Sequence, residues 1–222
     1  MSSPYDNFAK YYDGWFIGPF LKAHHKQAIK FIAPYIKENS SVLDVGCGTG
    51  AFLKQLVKRS RPSTRDFGEL SRTAQAKGLK VFGIDASAGM IKRCQKKKIP
   101  NANFQIAQAE DIPFPNDSFD LITCVDSLYH LNPEKFFAEC HRALKPGGLV
   151  FLDTISVDHC KIFTKLSIFF TRFFQAWQKA KYLKFQEIKS IAKATGFNII
   201  KSQAKSFPLA PYYKTWLIVL QK

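Results

Sequence analysis

The chain has 222 residues, 46% of them hydrophobic, which suits one sizeable core: a single α/β domain with a modest cap. Its apolar runs are broken by Lys, Asp or Gln well before the ~18 residues of a membrane-spanning helix, and Met1 to Asp6 lacks the basic flank and apolar run of a signal peptide, so a cytoplasmic protein is expected. The net charge of +16 is uneven: residues 1–155 hold 21 Lys/Arg against 15 Asp/Glu and residues 156–222 hold 12 against 2, which suggests an anionic partner for the C-terminal third or a solvated basic face.

In chain order, Asn7 to Ile36 carries aromatics at helical spacing and reads as helices, with His24-His25 on their surface because no metal-ligand partner stands at useful spacing. From Ser41 the chain alternates short apolar runs with amphipathic helices. The runs Val42–Val45, Val81–Asp85, Phe104–Ala107, Phe119–Val125 and Leu149–Ile155 read as strands buried on both faces. Ala51–Arg59, Ala88–Lys97 and Pro133–Leu144 read as helices, the last stopped by Lys145-Pro146-Gly147-Gly148. Ser60 to Leu70 reads as an inserted loop. Phe197–Phe207 and Tyr212–Leu220 alternate as an antiparallel pair at a sheet edge, separated by Pro208 and Pro211. The pattern predicts a doubly wound, mostly parallel α/β sheet. Its expected parts are a helical lid over residues 1–37, a core over 38–155, a helical cap insertion over 156–185 and a C-terminal helix with edge strands over 186–222. The five cysteines are odd in number and form no C-x-x-C pair, so reduced, packed thiols are expected and no metal site is.

The most informative motif follows the first strand. Gly46-Cys47-Gly48-Thr49-Gly50 runs straight into a helix, a turn whose backbone N–H groups can approach a ligand closely. The spacing is G-x-G-x-G, not the dinucleotide G-x-G-x-x-G, and Asp44 just before it would repel a pyrophosphate but suits an ammonium and a sulfonium. Asp85, ending the second strand, is placed to accept hydrogen bonds from ribose hydroxyls. Together Val42 to Gly50, Gly83 to Ser87, Ile112 to Asp120 and Ala143 to Gly148 resemble the motifs of class I S-adenosylmethionine-dependent methyltransferases. The similarity spans roughly residues 38–155 and is greatest to the ubiquinone/menaquinone biosynthesis branch and its small-molecule relatives.

That resemblance implies a seven-stranded Rossmann-like fold and S-adenosyl-L-methionine as cofactor. It implies that Gly46 and Gly48, with Cys47 and Gly50 of the same loop, line the methionine moiety, that Asp44 orients its amine, and that Asp85, with Ala86, meets the ribose. Met90 would pack on the adenine, Ala109 and Glu110 would meet its edge, and the Val125 carbonyl would face the methionine amine. Relatives commonly have Asp where Gln108 stands; a Gln carbonyl can accept the same hydrogen bond without charge.

Methyl transfer from a sulfonium needs alignment and water exclusion more than a base, so the acceptor is harder to read than the reaction. Asp126, Tyr129 and His130 follow the fourth strand on the acceptor side, with His130 the first choice for a general base. Tyr5-Asp6-x-x-Ala9-x-x-Tyr12-Asp13 resembles the N-terminal lid of many small-molecule methyltransferases, with Tyr12 closing the site. On a helix from Lys161 to Ala180, Ile162, Phe163, Leu166, Phe169, Phe170, Phe173, Phe174 and Trp177 share one face and Lys161, Lys165, Arg172 and Lys179 the other. This suggests a roof over an apolar or aromatic acceptor with a basic face toward anionic membrane, or a plain core helix. Three functions stand open: a small-molecule methyltransferase, a tRNA or other nucleic-acid methyltransferase using the basic C-terminal region, and a non-catalytic module that keeps the fold. The oligomeric state is not legible.

Overall fold

The computed structural model describes residues 5–14, 17–59, 78–159, 180–207 and 210–222. The predicted strands appear as β1 (Ser41–Val45), β2 (Lys80–Asp85), β3 (Ala102–Ile106), β4 (Phe119–Val125) and β5 (Leu144–Ile155), followed by β6 (Asn198–Phe207) and β7 (Ala210–Gln221). They form one sheet in the order β3-β2-β1-β4-β5-β7-β6. β1 to β5 pair in parallel, and β7 runs antiparallel between β5 and β6. The order reverses between β1 and β4, and in an open α/β sheet the crevice beyond the strand ends at such a reversal is where ligands bind.

Alternation along the strands explains how both faces are covered. Leu43 and Val45 of β1, Val150 and Leu152 of β5 and Ile218 and Leu220 of β7 join one core with Phe136, Phe137, Ile188 and Ala192. Val42, Phe151, Leu217 and Val219, one residue out of step, join the other with Ala28, Ile29, Ile32, Phe52, Leu53 and Leu56. Helices α5 (Pro133–Ala143) and α6 (Phe185–Ala194) therefore cover the first face, and α2 (Ile17–Ile32) and α3 (Ala51–Arg59) the second. Helix α1 (Tyr5–Tyr12) lies against α4 (Ala88–Lys96).

The three helices read between strands start where expected and end within a residue of those bounds. The N-terminal helices run Tyr5–Tyr12 and Ile17–Ile32, within and just before the stretch expected from Asn7 to Ile36, and three other features differ instructively. Helix α5 does stop at Ala143, but Lys145-Pro146-Gly147-Gly148 is not a free turn. It enters β5 directly, with a register shift between Phe119 and Leu121. Pro211 lies inside β7, not between the strands; the ladder jumps from Ser206–Lys214 to Phe207–Ala210, so Pro211 sits in the irregular stretch where no ladder N–H is demanded of it. His24 and His25 are buried, not surface residues: with Leu21, Ala28, Ile29 and Ile32 they form the i, i+3, i+4, i+7 stripe of α2 that faces the sheet. The expected loop near Ser60–Leu70 and the aromatic-basic segment Lys161–Lys179 lie outside the described residues. Among the described residues no helix is long and apolar enough to cross a membrane.

Part of the motif set serves the scaffold. Arg142 donates to the carbonyls of Ile112 and Phe114 at 2.8 and 2.9 Å and pairs with Glu139, clamping the Ile112–Asp120 stretch. Asp120 accepts from Ser41 N and from Lys145 Nζ, each at 2.8 Å, tying β1, β4 and β5 together at their starts.

Candidate active site

The glycine loop follows β1. Gly46, Gly48 and Gly50 all have positive φ, at 69°, 53° and 72°. At Gly46 a side chain is also excluded sterically, since a Cβ would come 2.5 Å from Ser127 Oγ. The loop's amides turn inward, however. Gly46 and Cys47 N–H donate to Ile84 O at 2.9 and 3.0 Å, Gly50 N–H to Cys47 O at 2.9 Å, and Gly48 N–H to Asp85 Oδ2 at 2.9 Å. The loop is thus less an anion nest than the sequence suggested; its polar character toward a ligand comes from the carboxylates around it.

Asp44 is 2% exposed and faces a narrow cleft lined also by Tyr12, His25, Gly46, Gly48 and Val125. Burial raises its carboxyl to about 7, although Thr123 Oγ1 donates to it at 2.7 Å. A carboxyl held this far above its usual range lacks a cation and would gain from one. Burial also raises the carboxyl of Asp85, moderated by the Ser87 and Gly48 N–H groups that bind its two oxygens at 2.9 Å. Ser87 caps α4 by accepting from Met90 N, which leaves Met90 buried beneath the helix start.

Helix α1 is fastened over this half by side chains. Asp6 Oδ1 accepts from Ser87 Oγ at 2.6 Å and Gly89 N at 2.9 Å, adding negative charge at the N-terminus of α4. Asp13 accepts from Thr49 Oγ1 at 2.7 Å and pairs with Lys97 Nζ at 2.8 Å. Between them the Tyr12 ring covers Gly48.

On the other side, the turn Leu128–His130 follows β4. Tyr5 Oη and His130 Nε2 share a hydrogen bond at 2.7 Å, and desolvation by the packed aromatic rings lowers the His130 ring to about 4, so it is neutral. Tyr129 is buried between His130 and Tyr182, with ring centroids 4.5 and 5.0 Å away. Deeper, His24 Nε2 lies 2.9 Å from Asp153 Oδ2 and 3.2 Å from Asp126 Oδ2. Burial alone would lower His24, but the two carboxylates outweigh it and raise the ring well above its ordinary value. Burial opposes ionisation of both carboxyls; beside His24 it loses at Asp126, held below the usual range, and wins at Asp153, held above it.

Residues 20–202 match the family model described as a methyltransferase domain. The chain belongs to this methyltransferase family. It is an S-adenosyl-L-methionine-dependent member. It is 26% identical over 199 residues to the ubiquinone/menaquinone biosynthesis C-methyltransferase of Geobacter sulfurreducens, covering 79% of this chain and 72% of that one. It is 28% identical over 188 residues to a bifunctional biotin biosynthesis protein of Teredinibacter turnerae, covering 78% of this chain but only 29% of that protein. A tRNA U34 carboxymethyltransferase of Campylobacter curvus is 30% identical over 161 residues, 68% of this chain and 49% of that one. The fold is shared with a Haloferax volcanii methyltransferase in complex with the Trm112 activator, with a TM-score of 0.74, 18% identity and coverage of 100% and 98%. An Aquifex aeolicus methyltransferase superposes with a TM-score of 0.65 at 19% identity, covering 97% of each chain.

The methyltransferase's own groups fit that cofactor: a buried, electron-rich Asp44, a loop with glycine at every second position and a second carboxylate at the β2 end. The structure brings Tyr12, Asp44, Gly46, Cys47, Gly48 and Val125 to one cleft, with Gly50 closing its loop. Asp85 meets the loop by accepting from Gly48 N, with Ala86 next to it in the chain, and Met90 and Ala109 are buried without lining the cleft. Glu110 is already engaged, accepting from Asn132 N at 2.7 Å, and the Gln108 main-chain carbonyl, not its side chain, accepts from Asp111 N. Four cysteines, Cys47, Cys94, Cys124 and Cys140, are free and buried as expected. Sequence reasoning missed Asp6, Asp13 and Lys97 as latch residues and the partnership of His24 with Asp153. The signal for the last was present: a carboxylate inside the apolar run Val150–Ile155, and two histidines on the buried stripe of a helix.

Proposed function

We propose that the chain transfers the methyl group of S-adenosyl-L-methionine to a small apolar or aromatic acceptor. The observation that carries this reading is the aromatic enclosure in front of the cleft. Tyr5, Tyr12, Tyr129, His130 and Tyr182 crowd one wall, and burial raises the phenols of Tyr5, Tyr12 and Tyr129 out of reach of ionisation at neutral pH. Such a wall offers ring faces and neutral O–H groups to a flat or apolar molecule.

In this reading the bound cofactor supplies a methyl group already activated by its sulfonium, and the chain supplies the rest. Asp44 takes the ammonium, Gly46 and Gly48 let the methionine portion approach the backbone, and Asp85 with Ala86 receives the ribose. Met90, Gln108, Ala109 and Glu110 form the adenine side. Tyr12 and the α1 latch exclude water, which strengthens every charge interaction inside. For His130 a ring near 4, already hydrogen-bonded to Tyr5, favours positioning of the acceptor with Tyr129 over proton abstraction.

The second reading, a tRNA methyltransferase, is favoured by the Campylobacter curvus relative and by the exposed Lys181, Lys184, Lys189, Lys193 and Lys201. The roof and membrane-contact expectations rest on Lys161–Lys179. The experiment is transfer of labelled methyl from the cofactor to a panel of phenols, quinols and amines beside unmodified tRNA. Label in a small acceptor at low salt and 0.3 M salt alike supports the first reading; label in tRNA alone, lost at 0.3 M salt, replaces it with the second.

A further inference from the structure

The cluster of His24, Asp126 and Asp153 plays no part in holding the cofactor, yet it is the most heavily desolvated set of charges among the described residues. His24 comes from α2, Asp126 from the end of β4 and Asp153 from within β5. Their side chains are 1%, 15% and 0% exposed. One nitrogen and two carboxylate oxygens lie within 4.8 Å of one another. We infer that these three residues bind a divalent first-row cation beside the acceptor end of the cleft.

Distance supports this first. Ligand atoms bonded to one octahedral ion at ~2.0–2.2 Å stand ~3 Å apart when adjacent. His24 Nε2 lies 2.9 Å and 3.2 Å from its two carboxylate neighbours, the spacing of adjacent ligands in one shell. Charge supports it next. With both carboxyls ionised, two carboxylates against one imidazole leave net negative charge in a dry interior even when the ring is protonated, and burial resists that charge at Asp153. A dipositive ion with a neutral imidazole brings the sum to zero. Hydrogen bonding supplies a third, independent point. The wholly buried Asp153 receives no backbone N–H on either oxygen and is compensated by His24 Nε2 at 2.9 Å and the nearby Thr215 hydroxyl. A carboxylate so placed is a group with open lone pairs aimed into the cluster.

The donor set narrows the ion. One imidazole with two carboxylates is harder than a thiolate site and softer than an all-oxygen cage, which selects Mn²⁺, Fe²⁺ or Zn²⁺ over Mg²⁺ and Ca²⁺. The position gives it consequence. Val125 and His25, immediate chain neighbours of Asp126 and His24, both line the cofactor cleft. The ion would tie α2 to the ends of β4 and β5 next to the place an acceptor must occupy. This rests on the small-molecule reading only for that consequence; the site itself stands on the three residues.

The test uses the whole chain, stripped with a chelator and dialysed, then titrated with Mn²⁺ while the free-ion electron paramagnetic signal is followed, with Zn²⁺ and Mg²⁺ in parallel melting experiments. One Mn²⁺ per chain is expected. At 100-fold excess over Kd, ~2.7 kcal/mol of added stability appears as a rise in melting temperature with Mn²⁺ or Zn²⁺ and less with Mg²⁺. Asp126→Asn, changed at the partly exposed member, is expected to fold and to lose at least tenfold in ion affinity, and Asp153→Asn to lose binding entirely. Because Asp153→Asn can fail to fold, circular dichroism accompanies it and Asp126→Asn decides the matter. Folded protein that takes up neither Mn²⁺ nor Zn²⁺ at 1 mM, or takes them up equally in Asp126→Asn, overturns the inference. Calorimetry with S-adenosyl-L-methionine on the same samples separates this from failure of the proposed activity.

Discussion

The two halves of the cleft are built differently. The cofactor half uses residues close together in the chain. Asp44 and the loop to Gly50 lie on one strand-turn-helix unit, Asp85 and Ser87 on the next, and the first carboxylate is stabilised by a neighbour strand, the second by the backbone of its own turn. On the proposed reading the acceptor half is gathered from Tyr5, Tyr12, His24, Asp126, Tyr129, Asp153 and Tyr182, which come from separate parts of the chain between residues 5 and 182. The first half is fixed by local geometry that the reaction always requires. The second is held by long-range contacts between a lid and the strand ends, so it can change with the acceptor while the first stays the same.

The sharpest way to break this contrast is at Asp44. Asp44→Asn keeps the shape and an acceptor for the Thr123 hydroxyl but removes the charge. Loss of one partner from a buried charge pair costs ~3 kcal/mol or more, so cofactor Kd by calorimetry should rise at least 100-fold. Stability should move the opposite way. The folded carboxyl sits at about 7 and the unfolded one near 3.8, so the folded state holds the extra proton between these values and stability falls as pH rises through that window. At pH 8 the Asn variant should therefore melt higher than the parent, by on the order of 5 °C. The parent's cofactor affinity should fall about tenfold per pH unit below 7, as the carboxyl must first lose its proton. A pH-independent affinity would remove Asp44 from the cofactor half.

Gly46→Ala comes next. Its Cβ would meet Ser127 Oγ at 2.5 Å and Ser127 Cβ at 2.6 Å on a backbone at φ 69°, so ~2–4 kcal/mol of stability should be lost in urea unfolding. Ser127→Ala should not rescue it, since the Cβ contact remains. Rescue would mean that the loop has room the geometry denies.

The same contrast explains what could be read from the sequence. Strands, helices and the cofactor loop were legible because each is a local pattern: short apolar runs, the amphipathic spacing of Ala88–Lys97, the Lys145-Pro146-Gly147-Gly148 stop. The parallel, doubly wound character of the sheet followed from the alternation. Long-range polar partners were not, because nothing in Asp6 or Asp13 alone says that it reaches Ser87 or Thr49, more than thirty positions away. His24 and His25 were misread for a different reason: the lack of a metal-ligand partner at useful spacing was weighed above the spacing that puts them on the stripe of Leu21, Ala28 and Ile32. Four positive-φ residues other than glycine besides Asp126, among them Asn101 and Asp117, likewise carry no local warning.

The lid gives the next effect in size. Asp6→Ala removes two charge-assisted hydrogen bonds from the start of α4, for a loss of ~2 kcal/mol in unfolding experiments. Because those bonds join α1 to the cofactor half, the cofactor KM should rise severalfold with kcat changed little. Lys97→Met should do less, as its pair with Asp13 is partly solvated. A large fall in kcat with an unchanged KM would place Asp6 in the chemistry instead of the latch.

The smallest effect is expected where lid meets acceptor wall. Tyr5→Phe deletes one hydrogen bond to a ring that reaches solvent, worth about 1 kcal/mol, so the acceptor KM should rise about fivefold. His130→Gln retains an acceptor for the phenol and should cost less. If the pair acts as a positioning contact, Tyr5→Phe and His130→Ala should produce no more together than either does alone. The pH profile separates this from proton abstraction. His130 is lowered to about 4 by burial while the unfolded ring titrates near 6.5, so the unfolded chain binds the extra proton in that window and stability falls as pH drops through it. Above pH 6.5 the ring is neutral in both states and should leave kcat flat. A general base would instead make His130→Ala lose 100-fold or more in kcat, with Tyr5→Phe left near the parent, and that result would move His130 from the lid's fastening to the reaction itself.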